Sequence, residues 1–270
     1  MMNTALTATA DRACKPRRFK ATRTVLALIL REMATTHGRS PLGYLWAVIE
    51  PVAAVALLSL VLQIALSTPP LGTNFPLFYA TGYLVYATYA SVSNKVALAV
   101  RFSRPLLEYP AVTALDTVLA RFLLNMLTQM MVFYIVLGGI VLIFDLSPIL
   151  SVPSIALSFL MTAVLTLGIG TLNCYLFTAF EGFEQLWSVA MKPAFLLSGI
   201  LFLYDDVPAF WRDILWYNPL IHITGEMRAG FYGTYEAPYV TPAYVFALGM
   251  GCFALGLLLL RRHLRAALLK

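Results

Sequence analysis

The chain has 270 residues, 60% of them hydrophobic and 12% charged, with a mean hydropathy of +0.79. Soluble domains carry about 25% charged residues because their surfaces face water, so the composition excludes a soluble domain and implies an integral membrane protein with several spans and no room for a separate soluble domain. The net charge of +6, from 19 Lys and Arg against 13 Asp and Glu, carries no nucleic-acid reading: what matters is how it is distributed about the spans.

Residues 1–20 are polar and basic and lack the early apolar run of a cleavable signal peptide. From position 19 to 37, Phe19, Leu26, Ile29, Leu30 and Met33 recur at helical spacing, while Arg17, Arg18, Lys20, Arg23 and Arg31 supply positive charge. The pattern predicts a basic amphipathic helix lying along the membrane surface.

Six apolar stretches follow, near 44–66, 77–100, 115–144, 154–180, 187–204 and 243–260. Each approaches or exceeds the roughly 20 helical residues that cross a hydrocarbon layer. An even number of spans puts both termini on one side. That side collects eight Lys or Arg before Tyr44, four after Leu260, and Lys95, Arg101, Arg104, Arg121 and Lys192, leaving only Arg212 and Arg228 opposite. The asymmetry predicts cytoplasmic termini. The expected organisation is a cytoplasmic N-terminus over 1–43, a membrane domain over 44–260 and a cytoplasmic tail over 261–270.

Between the fifth and sixth stretches lie 38 residues, 205–242, too long for a structureless connection. Asp205 and Asp206 look like a helix cap before Pro208, and 208–217 carries Phe210, Trp211, Ile214 and Leu215 on an apolar face. Asn218 and Pro219 break this run. A second one, 220–232, places Ile223, Met227 and Phe231 at spacings of four. Neither is long enough to span. The pair forms either a re-entrant hairpin shielded by protein or two interfacial helices on the outer surface.

Catalytic and nucleotide motifs are absent. None of the five lysines follows a glycine, which removes the GxxxxGK[ST] route to ATP, and neither GxSxG nor HExxH occurs. Cys14, Cys174 and Cys252 lie far apart, as do His37, His222 and His263, so no disulfide framework, metal site or catalytic residue is expected.

Polar residues inside spans are therefore the functional candidates. Arg121, Asn125 and Gln129 form a stripe at spacings of four, which either lines a polar pathway or combines a snorkelling arginine with interhelical hydrogen bonds. Tyr79, Tyr83 and Tyr86 share another face. They offer sugars an aromatic sliding surface, or else reflect the ordinary enrichment of tyrosine at membrane interfaces. The inner segment RFSRPLLEYP, 101–110, with Arg101, Arg104 and Glu108, is a docking surface for a soluble partner or a solvated basic loop, and the same choice applies to Glu181 and Glu184.

Three stretches together carry a resemblance: LREMATTHGRSPLGYLWAVIEP at 30–51, YPAVTALDTVLAR at 109–121 and LWYNPLIHITGEMRAGFYG at 215–233. In order and spacing they resemble the membrane subunit of ABC-2-type polysaccharide exporters, most nearly the capsular polysaccharide permeases of Gram-negative bacteria, the KpsM type, with O-antigen and teichoic acid permeases more distant. The resemblance implies an all-α, six-span ABC-2 fold of the type V exporter kind, with a re-entrant hairpin at about 205–240. It also implies an inner-membrane homodimer served by two copies of a separate ABC ATPase that binds ATP and magnesium, so that this chain needs no cofactor of its own.

By the same resemblance, the dimer encloses a canal for a lipid-linked acidic polysaccharide. Trp46, Tyr79, Tyr83, Tyr86, Asn125 and Gln129 would line the canal; from charge and depth, and not from the motifs, Arg39, Lys95 and Lys192 are expected to attract the anionic linker at its inner mouth. Arg31, Glu32, Arg101, Arg104 and Glu108 would couple to the ATPase, and Trp211, Trp216, Asn218, Pro219, Glu226 and Arg228 would form the outer gate. The further partners implied are a periplasmic polysaccharide co-polymerase-like adaptor and an outer-membrane conduit. Thr35, Thr36 and His37 depart from the more basic or aromatic residues of relatives, so detailed ATPase contacts do not carry over there. The competing readings are an ABC-2 exporter of O-antigen, teichoic acid or a small drug or lipid, and a polyprenyl-phosphate-dependent membrane enzyme.

Overall fold

A computed structural model describes residues 20–36, 42–107 and 112–268, all helices and connections. Helix α1, Lys20–Thr36, precedes α2, Leu42–Ala65, and α3, Phe75–Ala97. A short α4, Ala99–Phe102, and a 3-10 turn lead to the long helices α5, Ala114–Ile143, and α6, Val152–Ala179. Then come α7, Phe183–Leu196, the short helices α8, Ala209–Leu215, and α9, Pro219–Phe231, and finally α10, Pro242–Leu268.

Among the described residues, four segments are long and apolar enough to cross a membrane: 45–64, 114–143, 152–179 and 242–262. Helix α3 has the length, but it sits among α2, α5, α6 and α9 with most of its residues buried, which frees its sequence from the need to match lipid. The fifth stretch, expected over 187–204, forms a helix that begins earlier and stops at Leu196. At 1.5 Å per residue its 14 residues reach about 21 Å, short of the roughly 30 Å of hydrocarbon. Beyond it, Gly199 turns the chain at φ +75° and Ile200 and Leu203 are buried.

Helix ends follow local chemistry. Thr113 and Asp116 form a reciprocal capping box at the start of α5, and the Asn74 and Asn218 side chains accept from Leu77 N and Leu220 N to cap α3 and α9. Asp205 and Asp206 are no such cap. They lie in a separate 3-10 turn, and α8 starts after Pro208 without a side-chain cap.

Helix α6 is the hub, packed on α3, α9 and α10. Its hydroxyls on Thr162, Thr166, Thr171 and Thr178 donate to carbonyls four residues back, satisfying themselves where water is excluded. Ser158 donates across to the carbonyl of Ile223, tying α6 to α9. Contact with α10 is backbone to backbone: a Cβ on Gly168 would fall 2.0 Å from the carbonyl oxygen of Gly249.

Candidate functional site: a buried junction, an aromatic wall and the α9 cluster

Helix α1 turns Leu26, Leu30 and Met33 outward on one face and buries Leu28 and Glu32 on another. The outward face suits an interfacial helix. The inward one delivers a carboxylate to α5, where Glu32 Oε1 meets Arg121 Nε at 3.0 Å, with both residues more than nine-tenths buried. Arg121 also donates from Nη1 to the carbonyl of Lys95 at 3.0 Å, and its guanidinium lies 4.1 Å from the Phe102 ring centroid. The Arg31 guanidinium is 5.9 Å from the same ring. Helices α1, α3, α4 and α5 thus meet at one buried cation, a convergence that spacing within any single helix does not reveal.

Asn125 donates back to the Arg121 carbonyl at 2.8 Å and is buried, and Gln129 is half-buried on the same helix. Arg101, at the surface, pairs with Glu184 at 2.5 Å and also donates to the carbonyl of Phe177, joining α4 to α6 and to the start of α7. Arg104 stands exposed in the 3-10 turn. Arg39 and Glu108 lie outside the described residues.

Above this junction is a wall shared by α2, α3 and α7. Tyr83 and Tyr86, half-buried, meet the Phe195 ring edge-on at centroid distances of 6.4 and 5.3 Å, and the Tyr86 hydroxyl donates to the carbonyl of Met191 at 2.7 Å. Trp46 and Glu50 are exposed one turn apart on α2, and Lys192 is exposed on α7. The Glu50 carboxylate lies within electrostatic reach of the Tyr83 phenol and the Lys95 ammonium, and Lys95 is half-buried. Tyr79 is different: it is fully enclosed among Phe75, Phe78 and Leu203, so in the single chain it faces protein.

The segment between α7 and α10 is built around α9, whose Ile223, Met227 and Phe231 are buried together with Arg228. Arg228 donates from Nη1 to the carbonyl of Phe202 at 2.9 Å and from Nη2 to that of Ile200 at 3.0 Å, over the Phe78 ring at 4.0 Å. Among the described residues no carboxylate pairs with it, and its Nε and the hydroxyls of Tyr79 and Tyr232 find no hydrogen-bond partner. In the following loop, burial raises the Tyr235 and Tyr239 phenols above their ordinary range, so both are neutral at pH 7. Tyr235 donates to Asp205 at 3.2 Å and touches the Tyr239 hydroxyl at 3.3 Å.

His222, fully buried, accepts from Thr241 N at Nδ1, which makes Nε2 the donor to the carbonyl of Trp216 at 2.8 Å. Trp216 stacks on Tyr244 at 5.3 Å, and Asn218 Nδ2 donates to the carbonyl of Leu197 while Pro219 opens α9. Trp211 lies exposed with Phe210 and Ile214 on α8, and Glu226 is half-buried on α9. Sequence reasoning singled out Arg228 and Trp216 but missed Phe102, Phe195, Glu50 and the Tyr235–Tyr239 pair. A charged residue directly before an in-helix proline, at Glu50–Pro51 as at Lys192–Pro193, was the available signal for one of these positions, Glu50.

A family profile for ABC-2 type transporters matches residues 23–232, a stretch that contains the buried junction, the wall and α9. The chain belongs to the ABC-2 transporter family. Among curated relatives of this ABC-2 protein, the polysialic acid transport protein KpsM of Escherichia coli is 28% identical over 246 residues, 91% of this chain and 95% of the relative. The capsule polysaccharide export inner-membrane protein CtrC of Neisseria meningitidis is 26% identical over 240 residues, 89% and 91% of the two chains. BexB of Haemophilus influenzae, of the same description, is 23% identical over 239 residues, 88% and 90%.

Proposed function

We propose that this ABC-2 protein is the transmembrane subunit of an ATP-driven exporter that moves lipid-linked, acidic capsular polysaccharide across a bacterial inner membrane. The observation that carries this reading is end-to-end similarity, in both directions, to relatives named for polysialic acid and capsule export. Two copies form the translocating unit and two copies of a separate ATPase bind ATP and magnesium, in keeping with a chain whose lysines build no P-loop. The chain itself binds no cofactor and carries out no chemistry on the cargo. A periplasmic adaptor of the polysaccharide co-polymerase kind and an outer-membrane conduit continue the path.

In this reading the chain crosses six times with both termini cytoplasmic. The short α7 covers the inner part of the fifth crossing, and the re-entrant pair α8 and α9 fills the outer part as a gate, with Trp211, Trp216, Asn218, Pro219, Glu226 and Arg228. The wall of Trp46, Tyr83 and Tyr86 guides sugars, with Tyr79, Asn125 and Gln129 behind it. Arg39, Lys95 and Lys192 attract the anionic end. Arg31, Glu32, Arg101, Arg104 and Glu108 transmit ATPase movement.

The test is deletion of the gene, followed by fractionation and assay of lipid-linked polymer. Full-length polymer trapped inside supports export, whereas absent polymer points to a biosynthetic role and unchanged surface polymer to another cargo. Complementation with Tyr83→Ala is expected to slow export while the protein stays in the membrane. Normal export would remove the sliding-surface role.

A further inference from the structure

Helices α2 and α7 are weakly embedded in the single chain. No residue of α7 is buried, and only 17% of the apolar window of α2 is. Each nevertheless carries one charge well inside its length. Glu50 is eight residues beyond the start of α2 and Lys192 nine beyond the start of α7, which sets them about 12 and about 14 Å along their axes. Both helices rise from the cytoplasmic side in the proposed topology, so the two charges stand at nearly the same depth.

Each charge is followed by a proline inside its helix, Pro51 and Pro193. A proline removes the N–H that the carbonyl four residues earlier would accept, here those of Ala47 and Val189. Charge and released carbonyl together make each position polar where lipid tolerates neither. Both side chains are exposed, and among the described residues neither has an ion-pair partner. Between them lies the Tyr83 and Phe195 contact, so both belong to one face of the chain.

A face that bears one positive and one negative charge at equal depth is self-complementary under two-fold rotation, because each charge then meets its opposite twice. We propose that a second copy of this chain covers the α2–α7 face and that Glu50 of each copy pairs with Lys192 of the other, closing the path between them. This deepens the proposed function and rests on its homodimer. Anionic groups of the cargo would compete with Glu50 for Lys192, so that a passing polymer opens the pair.

The test uses the full chain in host membranes, expressed with its ATPase, after Cys14, Cys174 and Cys252 are replaced by Ala. Two differently tagged copies, one Glu50→Cys and the other Lys192→Cys, are expected to form a mixed disulfide dimer under mild oxidant, with two Glu50→Cys copies cross-linking about tenfold less, as mixed contacts in a two-fold interface require. Glu50→Lys and Lys192→Glu are each expected to lower export about tenfold, and the double swap to recover most of it. Two Glu50→Cys copies cross-linking as readily as the mixed pair, or no recovery by the swap, overturns the pair. Co-purification of the two tagged wild-type copies is measured alongside. If they do not associate, the homodimer itself fails; if they associate without the mixed cross-link, only the pair does.

Discussion

Arg121 and Arg228 are both buried, at 9% and 2% exposure, and both rest on a phenylalanine ring, yet their surroundings differ in kind. Arg121 is neutralised by a carboxylate on a separate helix, Glu32 of α1. Arg228 is held by two backbone carbonyls of the chain that follows α7, among neutral phenols. A carboxylate on another helix can be pulled away, and the cation it leaves is then costly. Backbone carbonyls move only if the fold moves. The Arg121 junction therefore has the construction of a joint, and the α9 cluster that of a clamp.

The largest effect expected from breaking this contrast is at the joint. Arg121→Leu takes from the buried Glu32 carboxylate the guanidinium it pairs with, a loss of about 3–5 kcal/mol, read as a lower thermal unfolding midpoint of the purified protein in detergent. Glu32→Leu combined with Arg121→Leu should recover most of that loss, since removing both partners of a buried pair is often nearly neutral. A double variant as unstable as the single would show that the arginine acts through Phe102 and the Lys95 carbonyl instead.

At the clamp the expected effect is smaller and no second substitution rescues it. Arg228→Lys keeps the charge but loses the fork that reaches both the Ile200 and Phe202 carbonyls, leaving at least one without its donor, at about 1–3 kcal/mol. Asp205→Asn, which touches the cluster only through Tyr235, should change the same midpoint by no more than about 0.5 kcal/mol equivalent. A large effect of Asp205→Asn would make it a counter-ion acting through the phenols and erase the distinction between the two sites.

These two sites also mark how far sequence carries the argument. Local signals were sufficient for α1, α5, α6, α9 and α10, because periodic apolar residues and the Asn218–Pro219 break each act within a few residues. Helix α7 was misjudged at both ends: the apolar run continues past Leu196, but the turn at Gly199 is imposed by packing of Ile200 and Leu203. The Arg121–Asn125–Gln129 stripe was visible, whereas its counter-charge lay 89 positions away on a helix read as an interfacial float and an ATPase contact. Tyr79 shares a periodicity with Tyr83 and Tyr86 but not their surroundings, since Leu203 and the rings of Phe75 and Phe78 close over it. Pattern locates a face, and only tertiary packing says whether it is covered.

The smallest expected effect on stability separates mechanical from energetic importance. The Arg101–Glu184 pair is exposed, with about two-fifths of each side chain accessible, and pairs of this kind contribute about 0–1 kcal/mol. Arg101→Ala should therefore barely move the unfolding midpoint. It would, however, release α4 from the start of α7 and from the Phe177 carbonyl, and α4 also carries Phe102 against the buried Arg121. If movement of a bound ATPase enters through α4, Arg101→Ala should lower export or ATPase co-purification while stability stays intact, and Arg101→Lys should restore part of it through the retained charge. Export unchanged by both variants would place the working contact at α1, leaving the Glu32–Arg121 joint as the route by which that movement reaches the spans.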